Sequence, residues 1–574
     1  MRSHVLRGAV VGMYCLLAFS LMHIQLIRSA EYRMLSDRNI IRVIPIEAPR
    51  GRIFDRNNKV VVDNKLSFDV SVIYHELSKA GRDKIAAILS DALGASKKKI
   101  RSRIEEAKLN PFIPAVVFED IGKSRAILLQ ERLFDITGII VESRAKRDYP
   151  HKEDGSHLIG YLGEVNRKEL ERLKPYGYRI KDLVGRGGLE DYYNGYLMGK
   201  GGGFLVEVDN RGRQVRVLGL KEPKSGKDLH LTIDIEIQKE AEKLLEDKKG
   251  AIIVMKSDTG EVLALVSRPG FDPNVFVSSE GSPERVRLMR DKNYPLLNRA
   301  LSGTYPPGSV FKIVVASAAL EYRKGYEWKT FECDGAYVLG RRSFRCWYDR
   351  GHNKQHMREG IKNSCNVYFF NLGKELGVDR IESFANRFGF GRPSGIDLPG
   401  EAAGLVPGRL WKRLRMRSSW YMGETLNFSI GQGYLLATPL QALGMMNVIA
   451  DGGKLVRPFI VRRIGDTDIT SVRANSIGLS DATVEILSQS LVKVVNDKDG
   501  TGRLAKVEGV KMAGKTGTAQ VSGKKSHSWF SGFAPADDPK ISLLIFVEHG
   551  GKGGVEAAQM AKTLFEELRD REYL

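Results

Sequence analysis

The chain has 574 residues, 42% of them hydrophobic, so it is long enough for more than one domain and apolar enough to fill sizeable cores. Its 90 Lys and Arg against 69 Asp and Glu leave a net charge of +21, which calls for an anionic neighbour. The cations are scattered and no aromatic–basic module accompanies them, which argues against nucleic acid and for a place near a membrane or a polyanionic wall; four Cys are too few for a disulfide scaffold.

Residues 8–27 form an apolar stretch of about the ~20 residues that a membrane-crossing helix needs. No small-residue cleavage site follows, so the stretch reads as an uncleaved signal-anchor. Arg2 and Arg7 precede it and Arg28, Arg33, Arg38 and Arg42 follow, so charge alone does not orient it; long domains cross largely regardless of charge. Residues 29–48 read as an amphipathic connector, and 48–62 as a hairpin entering a new domain. Between 79 and 145, helical patterns at 83–93 and 124–133 alternate with short strands at 115–118 and 137–142. Gly-punctuated runs at 157–163 and 185–190 are loop-to-helix entries. The glycines at 199–203 mark a turn or linker and lack the ending of a phosphate loop. Nothing in 29–225 carries chemistry of its own; it reads as an α+β scaffold.

Composition shifts near residue 226. Strands are expected at 229–233, 250–256, 261–267 and 541–547, with the 257–260 turn making a hairpin of the second and third. Helices are expected at 235–245, 438–449 and 559–568, and an apolar run at 367–372. The expectation is one large domain, 226–574, in which helices pack on a sheet.

Within that domain Tyr305-Pro306-Pro307-Gly308 leads into Ser309-Val310-Phe311-Lys312 and an apolar helix. Proline is tolerated at helix starts, so the helix begins just after Pro307 and puts Ser309 and Lys312 on one face. A Ser hydroxyl needs a base to become a nucleophile, and a Lys in an apolar setting can be that base. Two more polar clusters follow in order: Ser364-Cys365-Asn366 and Lys515-Thr516-Gly517-Thr518. Each alone is weak evidence; the ordered set of Ser-x-x-Lys, Ser-x-Asn and Lys-Thr-Gly is not.

On these three motifs the chain resembles the class B penicillin-binding proteins, membrane-anchored peptidoglycan transpeptidases, over nearly its whole length. Arg50-Gly51-Arg52-Ile53-Phe54-Asp55-Arg56-Asn57 resembles that family's N-terminal signature, and residues 187–193 its scaffold signature. Gly431-Gln432-Gly433-Tyr434 with Thr438-Pro439-Leu440-Gln441 resembles a segment between the second and third motifs. His527-Ser528-Trp529-Phe530 with Gly532-Phe533-Ala534-Pro535 is most like the cell-elongation type, penicillin-binding protein 2; the septal division type is the alternative. The resemblance implies an α/β (α+β) fold: a transmembrane segment within 1–28, a pedestal or dimerisation-type domain over 29–225, and a transpeptidase domain with a central antiparallel sheet flanked by helices over 226–574.

It also implies roles. Ser309 attacks the penultimate D-Ala carbonyl of a stem peptide, and Lys312 takes its proton, its pKa lowered by the nearby cation Lys515. Ser364 relays the proton to the leaving D-Ala, and Asn366 holds Lys312 or the substrate amide. Backbone N–H groups of Ser309 and Thr518 form an oxyanion hole. Thr516 and Thr518 receive the substrate carboxylate beside Lys515, and Gly517 lets the substrate lie close as an added edge strand. β-Lactams trap the same acyl-enzyme, and the acyl transfer needs no cofactor. Glu424-Thr425-Leu426-Asn427 resembles the deacylating Glu loop of class A β-lactamases but is one residue short of that pattern. With no glycosyltransferase domain, a separate glycan polymerase of the SEDS class is implied, with other wall-synthesis proteins of the elongation complex. The substrate is assembled outside, which places the catalytic domain on the outer, periplasmic side of the cytoplasmic membrane. The rival from another class is a non-catalytic β-lactam sensor or scaffold, which would need signalling segments that the chain does not show.

Cys333, Cys346, His352 and Cys365 lie between the first two motifs, spaced Cys-x12-Cys-x5-His-x12-Cys, with His356 as a spare imidazole. Three readings stand together: a structural Cys3His zinc set, a Cys333–Cys346 disulfide with Cys365 free, or unlinked core residues. In the first, Cys365 pins the turn between Ser364 and Asn366.

Overall fold

Arg2–Met22 is an α-helix that His23–Ile27 continue as a π-helical turn, and Arg7–Ile27 is long and apolar enough to cross a membrane, with mean hydropathy 1.9. The computed structural model describes residues 2–29, 41–109, 111–112, 114–176, 178, 182–208, 214–278, 282–469 and 474–574. Most of the connector read at 29–48 lies outside the described residues; its end is the strand Ile41–Ile46. The chain divides into two compact units. The smaller comprises Met1–Gly51, Asn64–Lys146 and Met198–Gly226; the larger comprises Arg52–Asp63, Arg147–Leu197 and Lys227–Leu574.

In the smaller unit, helix Lys79–Leu93 starts on the Ser78 side chain, which accepts from Gly81 N, and stops at Gly94 in the left-handed conformation. Helix Lys97–Glu106 and helix Lys123–Arg132 complete a helical layer. Ile85, Leu89, Ile104 and Leu129 of that layer are fully buried in one core with Val70 and Val117, whose strands pair antiparallel. A separate antiparallel sheet joins Ile41–Ile46, Gly202–Val208 and Gln214–Lys221.

The larger unit is built on a five-stranded sheet in the order Val262–Arg268, Gly250–Lys256, Ile541–Val547, Lys524–Ala534, Ala513–Val521, every pair antiparallel. All residues of Ile541–Val547 are buried, because helices cover both faces of the sheet. Ser528 and Val547 share one face, where Ala557 N of helix Glu556–Asp570 donates to Ser528 Oγ at 3.4 Å. The opposite face carries Ser542, whose Oγ bonds Asn447 Oδ1 of helix Pro439–Ala450 at 2.7 Å. That helix starts on a capping box of Thr438 and Gln441. Ala513–Val521 forms one edge of the sheet and carries the Lys-Thr-Gly motif.

Residues 52–63 and 147–197 fall early in the chain yet belong to the larger unit, for reasons of long-range chemistry. Ile53-Phe54 pairs in parallel with Leu229-His230. Buried Asp55 accepts from Asn57 N and Lys59 N at 2.8 Å each, and its other oxygen from Ile235 N at 3.3 Å, so it closes the hairpin and caps a helix at once. Arg147 and Glu190 form a fully buried ion pair at 2.6 Å, and Tyr193 OH donates to buried Asp397 at 2.7 Å. The two glycine runs pack backbone to backbone: a methyl on Gly188 would stand 2.4 Å from Gly160 N.

Candidate active site

Gly308–Phe311 is a turn of 3₁₀ helix, and the α-helix begins only at Lys312 and runs to Tyr322. Ser309 therefore stands in the tighter turn, where residues three apart eclipse, and this aligns it with Lys312 more closely than an α-helical start would. Gly308 sets the turn with φ +58° and donates its N–H to Gly431 O at 2.9 Å. A methyl at Gly308 would meet Thr518 O at 3.0 Å, and one at Gly431 would stand 2.1 Å from Gly308 O. The nucleophile turn thus lies on the backbone of the edge strand at Thr518 and on the 431–434 segment. Gly517 faces the same turn: a methyl there would meet Pro307 O at 3.0 Å and Val310 Cγ1 at 3.3 Å. The structural need for glycine at 517 is this packing.

Ser364 is a non-glycine residue in the left-handed region, φ +50°, held there by Ser364 N to Ile361 O at 3.1 Å and Cys365 N to Gly360 O at 3.0 Å. The conformation aims its hydroxyl at both lysines. Lys312 Nζ lies 3.3 Å from Ser364 Oγ, and Lys515 Nζ lies 3.0 Å from the same oxygen. Lys312 Nζ also donates to Ser364 O and Asn366 Oδ1, at 2.8 Å each, and Lys515 Nζ to Thr516 O at 3.0 Å. A hydroxyl has two acceptor lone pairs and one proton, so Ser364 Oγ can accept from both lysine nitrogens and still donate. Among the described residues no hydrogen bond engages the Ser309 hydroxyl.

Both lysines are fully buried. Burial pushes Lys312 down to about 8, against a partial pull upward from Cys365 and Cys346. Burial first, and then the charge of Lys312, push Lys515 well below the ordinary lysine range. Burial is the first cause at both lysines, and the repulsion between the two charges, which acts on both, adds to it.

Thr516 is buried, and a methyl at Gly502 would stand 3.6 Å from its Cγ2. Thr518 is exposed, and its Oγ1 accepts from Gly553 N at 3.2 Å. Gly553 was not read from the sequence as part of the site. A methyl there would stand 2.0 Å from Gly517 O, so only glycine lets the 550–554 loop lie on the motif strand. The signal was present as a glycine run, but glycine runs are common in loops. Glu424 is committed elsewhere: it pairs with buried Lys412 and accepts from Tyr421 N at 2.8 Å in a capping box. It serves in the capping box of helix Met422–Ser429, in keeping with a segment that only partly matches the deacylating Glu loop.

The structure brings Cys333, Cys346, His352 and Cys365 together, with one ligand atom of each within 4.8 Å of all the others. All four cysteines of the chain are free, so no disulfide joins Cys333 to Cys346. His352 Nδ1 is 3.6 Å from Cys333 Sγ and 3.5 Å from Cys346 Sγ. Ligands at about 2.3 Å (S) and 2.0–2.1 Å (N) from a tetrahedral zinc stand about 3.6 Å apart, so the spacing fits the metal. The other ring nitrogen, Nε2, is buried with no hydrogen-bond partner among the described residues. The hydrogen bond with Cys365 pushes Cys346 down, and the same contact pushes Cys365 up. Cys365 caps helix Asn366–Leu376, its Sγ accepting from Tyr368 N at 3.4 Å. Two further bonds tie the Cys-rich lobe to the catalytic turn: Asn366 Nδ2 to Arg345 O at 3.3 Å and Trp347 Nε1 to Asn363 O at 2.9 Å.

This constellation suits acyl transfer through a serine, and comparison with known proteins gives the class. The chain belongs to the penicillin-binding protein transpeptidase family: residues 250–566 match the penicillin binding protein transpeptidase domain, and 45–231 match the penicillin-binding protein dimerisation domain. It is 33% identical to the peptidoglycan D,D-transpeptidase MrdA of Acinetobacter baumannii, over 97% of this chain and 86% of that protein. It is 31% identical to MrdA of Salmonella typhimurium, over 98% and 95%. Among solved structures it is similar to the penicillin-binding protein PBP2 of Helicobacter pylori in complex with MreC, with TM-score 0.83, 31% identity, and 93% of this chain and 100% of that one covered. A peptidoglycan synthase complex that coordinates polymerization and crosslinking contains another similar chain, with TM-score 0.74, 31% identity and coverage of 98% and 97%.

Proposed function

We propose that the chain is a peptidoglycan D,D-transpeptidase of the cell-elongation type. Its donor substrate is a stem peptide ending in D-Ala-D-Ala. The observation that carries the reading is the single hydroxyl of Ser364 held between two buried lysine nitrogens, at 3.3 Å and 3.0 Å.

Neutral Lys312 removes the Ser309 proton as Oγ attacks the penultimate D-Ala carbonyl. The developing oxyanion is received by the N–H groups of Ser309 and Thr518. Collapse breaks the C–N bond to the terminal D-Ala, and the Ser364 hydroxyl passes a proton to that amine, replaced from Lys312 or Lys515. The acyl-enzyme is resolved by an amine of a neighbouring stem peptide. Its nitrogen forms the new amide, its proton returns to Ser309 Oγ through the same relay, and the ester breaks. Asn366 keeps Lys312 in place throughout. Thr518 and Lys515 bind the terminal carboxylate, with Thr516 shaping the strand beside them. A β-lactam follows the first half and stops there.

In this proposal Cys333, Cys346, His352 and Cys365 would hold a zinc ion whose contribution would be structural, Cys365 then keeping the Ser364–Asn366 turn in place. Residues 1–28 anchor the chain in the bacterial cytoplasmic membrane, with 29–225 as a non-catalytic pedestal and 226–574 as the catalytic domain on the outer side. The partners are a SEDS-class glycan polymerase and other wall-synthesis proteins, a reading supported by the assemblies in which its structural neighbours occur.

The test uses the full chain. Labelled penicillin should add to Ser309, seen by intact mass and peptide mapping, and not to Ser309→Ala. With a glycan polymerase and lipid-linked precursor, wild type should form crosslinked dimers. Penicillin labelling without any crosslinking would instead support the sensor or scaffold alternative.

A further inference from the structure

Arg299, Glu548 and Tyr305 form a largely buried polar network outside the set of groups that move protons. Glu548 follows directly on the central strand Ile541–Val547, and its side chain is 15% exposed. Its Oε1 accepts from Arg299 Nε at 3.0 Å and from Tyr305 OH at 2.7 Å. Arg299 is buried and gives its other two nitrogens to backbone carbonyls, Nη1 to Tyr294 O at 3.1 Å and Nη2 to Asn293 O at 2.7 Å. The guanidinium is therefore held in its plane, and it holds the carboxylate oxygen that Tyr305 reaches. Apolar packing of the same volume is often as stable as a buried ion pair, so stability alone does not account for this one.

From Tyr305 the network reaches the nucleophile. Tyr305 pairs with Ala437 through both its N–H and its C=O, at 2.9 Å each, and its ring packs on Phe546 with centroids 4.2 Å apart. Pro306 and Pro307 follow, with φ locked by their rings, and Gly308 and Ser309 come next, so the chain between Tyr305 and Ser309 has little slack. From Glu548 the network reaches the strand opposite. Glu548 N donates to Lys249 O at 2.7 Å, His549 N to His527 Nδ1 at 3.1 Å and Gly551 N to Ser526 O at 2.9 Å. The same loop ends with Gly553 N on Thr518 Oγ1 at 3.2 Å. One carboxylate is thus bonded to the chain entering Ser309 and begins the loop that backs Thr518.

We infer that Glu548 is a positioning residue for the acyl transfer: through Tyr305 and through the 549–553 loop it sets the separation of the Ser309 and Thr518 N–H groups. It acts through those two elements, not on the reacting atoms. The inference rests on the proposed function for the place of the two N–H groups in the reaction. An oxyanion hole works because its donors are in place before charge develops, so an error in their spacing is felt in the chemical step more than in binding.

The experiment measures acylation of the detergent-solubilised full chain by penicillin over a range of concentrations, which separates the dissociation constant of the initial complex from the acylation rate constant. Rates are taken on the acylable fraction, read by intact mass. Tyr305→Phe deletes one hydroxyl and keeps the ring on Phe546; Glu548→Gln keeps the side chain's size and removes its charge. Each variant should lose about tenfold in the acylation rate constant, as a misplacement well under 1 Å does, with the dissociation constant near the wild-type value. The double variant should lose little more than either single one, because both act on one hydrogen bond. The pH at which the rate levels off should stay at its wild-type value, since Lys312 is untouched. An unchanged rate constant, whatever the melting temperature does, assigns the network to stability and overturns the inference. A loss confined to the dissociation constant overturns it too, as does a shifted pH profile, which would mean that the disturbance reaches Lys312. If Glu548→Gln yields no folded protein, Tyr305→Phe decides by itself, and failure of both to fold again assigns the network to stability. A wild type that penicillin does not acylate at Ser309 sinks the transpeptidase reading and the inference with it, whereas an acylating wild type with unaffected variants sinks the inference alone.

Discussion

Two buried polar clusters meet at the turn 364–366, and they differ in how far the protein alone satisfies them. In the first, Lys312 Nζ has acceptors in Ser364 O, Ser364 Oγ and Asn366 Oδ1, and Lys515 Nζ in Ser364 Oγ and Thr516 O. The desolvation of two ammonium groups is offset by these bonds and relieved further by the lowered pKa values. In the second, three thiols and an imidazole crowd within 4.8 Å of one another, and His352 Nε2 is buried without a partner among the described residues. The donor set and its spacing are those that could hold a metal ion, whereas the first cluster is internally bonded. In the proposed function the internally bonded cluster carries the chemistry, and the Cys3His cluster beside it carries the positioning.

Lys312→Ala breaks the first cluster most severely. It removes the base and leaves Asn366 and the Ser364 carbonyl without their buried donor. The second-order rate of penicillin acylation should fall by about 10²–10⁴-fold, the usual share of a positioned base. A fall smaller than tenfold, with native circular dichroism, would show that another group takes the Ser309 proton. The next largest effect belongs to the second cluster. Removing metal with a strong chelator, or making Cys333→Ser, should lower acylation by roughly 10–100-fold, as loss of supporting contacts around a site commonly does. The melting temperature should fall as well, and added zinc should restore the chelated wild type but not the variant. Purified protein that contains no zinc and acylates at full rate after chelation would end the comparison.

Much of this was legible in the chain because catalytic motifs are local patterns. Ser309 with Lys312, Ser364 with Asn366, and Lys515 through Thr518 are short spacings, and their order along the chain supplied the rest. The helices at 235–245 and 438–449 and the strand at 541–547 were legible for the same reason, since periodicity and caps are local. What could not be read depends on contacts distant in sequence. The Cys3His residues span 33 positions, from Cys333 to Cys365, and only the fold shows that they converge. The placement of 147–197 in the larger unit depends on Arg147 with Glu190 and Tyr193 with Asp397, pairs that no window of sequence displays. The same holds for Gly553 beside Thr518 and for Lys412 with Glu424. Burial was the other hidden variable: the family resemblance implies a second lysine near Lys312, but only the fold shows that desolvation dominates its titration.

The sharpest test of mechanism is the dependence of acylation on pH. Burial favours the neutral amine and lowers Lys312 from 10.5 to about 8. Below that value the ammonium form predominates, and its three protons engage Ser364 and Asn366, leaving no lone pair for Ser309. The rate should therefore climb by about tenfold per pH unit below 8 and level off above it. The same shift has a stability consequence. Between about 8 and 10.5 the unfolded chain binds more protons at this lysine than the folded chain does, so the Lys312 contribution to stability rises with pH across that window. Burial of the charged form is the destabilising state, present below about 8 and relieved above 10.5. A profile of penicillin acylation from pH 5.5 to 10, corrected for β-lactam hydrolysis, reads the kinetic part directly. An inflection near 10, the value of an exposed lysine, would mean that the first cluster is hydrated in solution and that its self-sufficiency, the basis of the contrast with the Cys3His set, does not hold.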